Sequence, residues 1–243
     1  MTAKTTGKPS KKKVSTFQAE EDESPLMVPR VLPRGLNSLP RDVVLLSQRS
    51  RLIEATAHFV GTKGYLATSV ADLISRAGVS RTTFYQQFKD KEDCYLYCYE
   101  RLSQSHMERV ISALDGKKGH KERLLDSVQA YLEHLAEHGE YAIAFFAEAA
   151  YAGERVQARE AELKAEHKNR LASWYEDVAA QNPSLVKPPA AVYDLMIDGS
   201  NALLVRWVRD GLKPELAKLH QSICYFFFAC LGLHQWAEEV MAG

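Results

Sequence analysis

The feature that most restricts what this chain can fold into is the spacing of its apolar residues. From Arg41 almost to the C-terminus they recur at helical intervals, and nowhere do they alternate in the manner of a half-buried strand. The periodic segments are Arg41–Thr62, Val70–Ala77, Arg81–Gln87, Lys91–Leu114, Lys121–Glu137, Glu140–Ala152, Glu154–Gln181, Ala190–Asp210 and Pro214–Met241. Helix stops separate them: Gly64, Gly78, the Asp115–Gly119 loop, Gly139, Gly153, the Asn182–Pro189 stretch, and Gly211 with Pro214. An all-α fold is expected, with no repeat of solenoid length.

Some classes are excluded early. The apolar stretch Ile223–Leu233 falls short of the ~18–20 residues of a membrane span. The basic start, Met1–Lys13, has no apolar run of the kind a signal peptide carries, so a cytoplasmic location is expected. The four cysteines (Cys94, Cys98, Cys224 and Cys230) lie in apolar, helix-like surroundings and read as small hydrophobes rather than a disulfide framework. The net charge of zero conceals a split. Residues 1–91 hold 15 Lys/Arg against 8 Asp/Glu, a balance of +7, and the remainder carries −7. That asymmetry suits a nucleic-acid-facing part joined to one that is not.

Residues 1–40 read as a tail and linker. Met1–Ser24 has a basic block, Lys11–Lys13 included, and an acidic block, and too few large apolar residues to offset chain entropy. Pro25–Pro40 holds four prolines. The tail is expected to be disordered and solubilising, with added phosphate or minor-groove contacts from Lys11–Lys13 as the alternative.

The chemistry is concentrated in TSVADLISRAGVSRTTFYQQFKDK, Thr68 to Lys91. Ser69 with Asp72 three residues later has the form of a capping box. Val70, Leu73, Ile74 and Ala77 then share one face. Gly78 permits a sharp stop, Val79 can fill the angle between two helices, and Ser80 can cap a second, short helix. Phe84 and Phe88 turn inward at i and i+4, leaving Arg81, Thr82, Thr83, Tyr85, Gln86 and Gln87 outside. Two helices joined at a glycine, the second short and polar outside, suit a major-groove reader. Glutamine pairs with adenine, arginine with guanine, and a threonine methyl with the thymine methyl. The competing reading of the first helix and turn alone is a surface helical hairpin with no ligand.

Over Ser47–Tyr99 this segment resembles the DNA-binding domain of the TetR family of bacterial transcriptional regulators. The resemblance is carried by Gly64-Tyr65, Thr68-Ser69-Val70 and above all AGVSRTTFYQQFKDKED, beginning at Ala77. It implies phosphate contacts from Ser69 and Lys91 and a backbone contact from Tyr85. It implies base contacts from Arg81, Thr82, Thr83, Gln86 and Gln87; Ser80 suits a phosphate oxygen. The chain departs from the family pattern at Ala71, where a polar contact is lost, and at Thr82, where many members have a smaller residue or proline.

The resemblance also implies an architecture. A three-helix helix-turn-helix domain at residues 41–90 would precede a helical ligand-sensing and dimerisation domain at 91–243. The implied function is sequence-specific binding of double-stranded DNA by a homodimer. Repression relieved by a small-molecule effector is expected, with activation as the alternative.

In the second domain, Tyr99, Tyr131, Phe145, Phe146 and Glu148 are expected to line the effector pocket, together with Trp174, Tyr175 and Tyr193. Ala190–Asp210 and Pro214–Met241 are apolar over more than one stripe. Leu203, Trp207, Ile223, Phe227 and Leu231 are expected at the dimer interface, a thicker intrachain core being the alternative. His134 and His138 have the i, i+4 spacing of a metal-binding pair, but the sequence assigns no third ligand, so neither metal nor cofactor is expected. No Gly-rich phosphate loop, His-Glu-x-x-His or nucleophile elbow occurs, so an enzyme is not expected. An architectural DNA-binding protein would carry more net positive charge.

Overall fold

A computed structural model describes residues 40–211 and 215–242, all in helices and their connections. The tail at residues 1–39 and the start expected at Pro214 lie outside the described residues. The described residues form ten α-helices in order: α1 Arg41–Lys63, α2 Val70–Ala77, α3 Arg81–Gln87, α4 Lys91–Leu114, α5 His120–Glu137, α6 Gly139–Ala142, α7 Glu154–Gln181, α8 Ala190–Arg209, α9 Leu216–Cys230 and α10 His234–Ala242. No described helix is long and apolar enough to cross a membrane.

The structure breaks two segments that the periodicity reads as single helices. Between Glu140 and Ala152, α6 passes into a π-helical turn, Ile143–Ala147, and then a 3-10 turn, Ala149–Tyr151. The Tyr95 hydroxyl, on α4, donates to the Ala144 carbonyl inside that turn. A donor reaching a helix carbonyl from outside is a known cause of a locally widened ladder. The stretch expected to run on to Met241 breaks at Gly232, whose φ of +71° ends α9. There the Leu233 N–H donates to the Phe228 carbonyl and the Gly232 N–H to that of Ala229, a left-handed helix end. Trp236 on α10 can then fold back edge-on against Phe228, 5.4 Å between ring centres.

Three apolar clusters hold the described residues together. The smallest joins Leu52 and Ala55 of α1 to Leu73, Ala77, Phe84, Phe88 and Cys94. A second uses the other side of α1 (Ile53, Ala57, Val60) and packs it with Tyr95, Tyr99 and Leu102 of α4 against Phe145 and Val156. The largest unites α5 and α7–α10 around Trp174, Trp207, Cys224 and Phe228. Trp207, Ile223, Phe227 and Leu231 are buried in that last cluster, and Leu203 is half-buried beside it. Four of the five residues assigned to the dimer face are therefore intrachain core. The apolar side chains that α8 and α9 leave outside are Leu195, Tyr225 and Phe226, at 68%, 44% and 38% exposure.

Polar contacts lock the first three helices to the rest. Glu148 lies at this joint rather than in a pocket: its Oε2 accepts from the Tyr65 N–H at 2.8 Å. Gly64 has φ +88°, and a Cβ there would stand 3.2 Å from that carboxylate oxygen, so the Gly64-Tyr65 turn fits glycine on both counts. Farther along, the Arg155 guanidinium donates to Asp90 (2.7 Å) and Glu92 (3.1 Å), while the Arg155 N–H donates to Glu92 Oε1 at 3.0 Å.

Trp207→Ala should cost about 3–5 kcal/mol of stability, as for a fully buried aromatic. The unfolding midpoint in urea, followed at two protein concentrations, checks this: a core role gives the same loss at both. Glu148→Gln weakens a charge-assisted bond of roughly 1.5–3 kcal/mol. Amide exchange at Tyr65 should accelerate about tenfold or more, and unchanged protection would count against the joint.

Candidate nucleic-acid interface and effector cavity

The α2–α3 unit is held in shape by its own backbone chemistry. Ser69 Oγ accepts from the Asp72 N–H at 3.2 Å, and the Asp72 carboxylate accepts from the Ser69 N–H at 2.8 Å, closing the expected capping box. Lys63 (2.7 Å) and the Ser69 hydroxyl also bond that carboxylate, and these contacts hold it well below the usual carboxylate range. Gly78, at φ +60°, ends α2 in the left-handed region, and Arg51 donates to the Ala77 carbonyl at 2.7 Å. Ser80 caps α3 by accepting from the Thr83 N–H at 3.0 Å, and its hydroxyl pairs with that of Thr83 at 2.8 Å. Phe84 and Phe88 are buried together with ring centres 5.8 Å apart.

What α3 presents outward is Arg81, Thr82, Tyr85 and Gln86, all exposed, next to exposed Ser80 and half-buried Thr83. Two of the residues marked for DNA turn elsewhere. Gln87 faces α1: its Oε1 accepts from Arg49 Nε at 3.3 Å, and its Nε2 is buried. The Arg49 guanidinium also lies over the Tyr97 ring, at 5.1 Å. Lys91 reaches back from the start of α4, where its ammonium donates to the Tyr65 and Thr68 carbonyls, both at 2.8 Å, and sits 4.0 Å from the centre of the Tyr65 ring. Burial lowers its pKa and, with Glu92 and Asp90 nearby, pushes the Tyr65 phenol up to about 12. Lys91 thus fastens α4 to the turn before α2. Burial also pushes the Cys94 thiol up to about 12, so it stays protonated as a core side chain.

A cavity of about 110 Å³ lies among α4, α5, α7, α8 and α9. Met107, Val110, Leu124, Val128, Leu171, Trp174, Leu204 and Phe227 give it apolar walls, and Ser127, His167, Arg170, Ser200 and Asn201 are its polar groups. A smaller one, about 40 Å³, adjoins it and shares Tyr131, His167, Ile197 and Asn201. Tyr99, Phe145, Phe146, His106, Glu160 and Lys164 are among the other residues that line the second.

Five of the eight residues marked from sequence therefore line this space: Tyr99, Tyr131, Phe145, Phe146 and Trp174. Tyr175 and Tyr193 instead pack in the largest core, where the Tyr175 hydroxyl donates to the Val186 carbonyl at 3.0 Å. The sequence reading missed His106, His167 and Asn201. His106 is only 4% exposed, neither ring nitrogen has a partner, and burial, with His134 and His167 nearby, keeps it neutral. A lone histidine among Leu102, Ser103 and Met107 on the buried face of α4 was the available signal.

Comparison with known proteins places these features. The profile of bacterial regulatory proteins of the tetR family matches residues 52–98. The HTH-type transcriptional activator FasR of Mycolicibacterium smegmatis is 30% identical over 99 residues, 41% of this chain and 43% of FasR. The HTH-type transcriptional regulator YerO of Bacillus subtilis is 28% identical over 104 residues, 42% of this chain and 36% of YerO. These matches span less than half the length of either relative. Solved structures share the fold more widely. The fatty acid degradation regulator FadR of Bacillus halodurans covers 74% of this chain and 94% of its own, with TM-score 0.67 and 17% identity. FadR of Bacillus subtilis, solved with stearoyl-CoA, covers 73% and 96%, with TM-score 0.65 and 21% identity. Residues 52–98 thus match the tetR-family DNA-binding domain, and the helical fold behind them is the one seen in the two FadR structures.

Proposed function

We propose that this protein is a homodimeric, sequence-specific DNA-binding transcriptional regulator, acting in the cytoplasm as a repressor that a small-molecule effector releases. The observation that carries the reading is the outer face of α3. Arg81, Thr82, Tyr85 and Gln86 are exposed there, while the helix start and both phenylalanines are satisfied internally. Such side chains are free to meet base edges and phosphates without first breaking contacts in the protein. Activation is the second reading, because one relative is named an activator.

Two readers on one pseudo-palindromic site need a dimer with recognition helices about 34–36 Å apart. The face that supports it is Leu195, Tyr225 and Phe226, which α8 and α9 leave exposed. Large apolar side chains left exposed on neighbouring helices favour an interaction surface there.

The effector proposed is a long-chain acyl compound. The apolar walls of the larger cavity suit an aliphatic chain, and His106, Glu160 and Lys164 in the adjoining smaller one suit a polar end. A neighbour in fold was solved with stearoyl-CoA. Filling that space would favour one spacing of the readers over another, and α4 links the two because it lines the cavities and starts beside α3.

Tyr85→Phe should weaken binding by about 1 kcal/mol on every duplex, whereas Gln86→Ala should cost about 1–3 kcal/mol at one base position and little elsewhere. Anisotropy titrations across single-base variants of a bound duplex separate the two, and a uniform loss from Gln86→Ala would remove its base-reading role. The logarithm of affinity should fall against log salt with a slope of about −0.9 per phosphate neutralised. Phe226→Glu should give a monomer by sedimentation, and a dimer of undiminished strength would rule out that face. Stearoyl-CoA should release the duplex. Ile197→Phe, which narrows both cavities, should weaken that release about tenfold and leave DNA affinity intact.

A further inference from the structure

We propose that His134, Glu137 and His138 form a site for a divalent transition ion of the zinc class, where the end of α5 meets α4. One ring nitrogen from each histidine and one Glu137 oxygen lie within 4.8 Å of one another. The run His134-Leu-Ala-Glu-His138 places the donors at i, i+3 and i+4, a spacing that gathers side chains on one helix face. The fold selects the third donor that the sequence leaves open. Glu133 accepts from Gln129 at 2.6 Å, whereas Glu137 stands with the histidines. Ligands at about 2.0–2.2 Å from a tetrahedral ion lie roughly 3.4 Å apart, so the donors must draw in somewhat. Glu137 is exposed, and His138 lies beyond the last residue of α5, so both can move without disturbing the core.

A second observation points to a ligand. His134 is 1% exposed, yet its Nδ1 has no partner, while the Ser105 hydroxyl lies 3.3 Å from its Nε2. Native proteins seldom leave a buried ring nitrogen unpaired. An ion at Nδ1 removes the deficit, and a hydroxyl on the other nitrogen is the kind of outer contact that orients metal-bound histidines. The alternative use of Glu137, a 3.6 Å pair with Arg109, joins two half-exposed side chains and leaves His134 as it was. Two imidazoles and one carboxylate suit zinc, cobalt or nickel better than calcium or magnesium.

The ion is linked to the effector cavity through His106, whose ring centre lies 4.6 Å from that of His134 and whose side chain lines the smaller cavity. Binding fixes His134 against that wall and sets its shape. The site is distinct from the reader and from the cavity, so its test involves no DNA.

The test is titration of the untagged full-length chain, stripped with chelator, first with Co²⁺ and then with Zn²⁺. The expected result is a visible ligand-field band that saturates at one Co²⁺ per chain and is displaced by Zn²⁺. His138→Gln and Glu137→Gln, whose side chains lie outside the buried core, should each weaken Co²⁺ binding at least about tenfold with helical content unchanged. Absence of the band, or a band that survives His138→Gln at full strength, overturns the site.

Discussion

Helix α1 is buried on two sides at once, and the rest of the molecule depends on that constraint. Leu52 and Ala55 meet α2 and α3, while Ile53, Ala57 and Val60, on the other side of the helix, meet α4 and the π-helical turn. Burial of this kind is worth on the order of 1.5–3 kcal/mol for each large side chain, so neither face is readily uncovered. The reader therefore shares side chains with the helices behind it. Lys91 on the Tyr65 and Thr68 carbonyls, Glu148 on the Tyr65 N–H and Arg155 across Asp90 and Glu92 add directional bonds to the same joint. A change in the cavity walls has a short, packed route to α3, because Tyr99 and Phe145, stacked 4.4 Å apart, belong to both the cavity and the joint. Energetic coupling needs such an element with two arrangements, and α4 is the element positioned to supply it.

The parts legible in the sequence were those decided locally. Ser69, Asp72, Gly78 and Ser80 act on backbone groups within a few residues of themselves, so the boundaries of α2 and α3 follow from capping and left-handed geometry alone. Phe84 and Phe88 at i and i+4 reveal the inner face of α3 in the same way. Where a distant partner decides, the pattern is silent. The π-helical turn is associated with the hydroxyl of Tyr95, some fifty residues earlier in the chain. Gln87 reads as an outer residue until Arg49 is brought beside it. The break at Gly232 was hidden because a glycine flanked by leucines does not interrupt an apolar pattern.

The dimer face shows a different limit. A helix apolar on two stripes reveals that it packs twice, but not which stripe its own chain covers. Trp207 and Phe227 belong to the intrachain core, and the smaller remainder, Leu195, Tyr225 and Phe226, is what stays outside. Buried histidines show a similar limit. His106 and His134 look like ordinary helix residues in sequence, and only the fold shows them adjacent, buried and short of hydrogen-bond partners.

Regulation of this kind requires the outward side chains of α3 to recognise base sequence. The most direct measurement is selection of bound duplexes from a pool of random DNA by the purified full-length protein. The expected outcome is enrichment of one inverted repeat with half-sites about one helical turn apart, competed poorly by unselected DNA. Recovery of duplexes with no common sequence, bound no better than the starting pool, would contradict it.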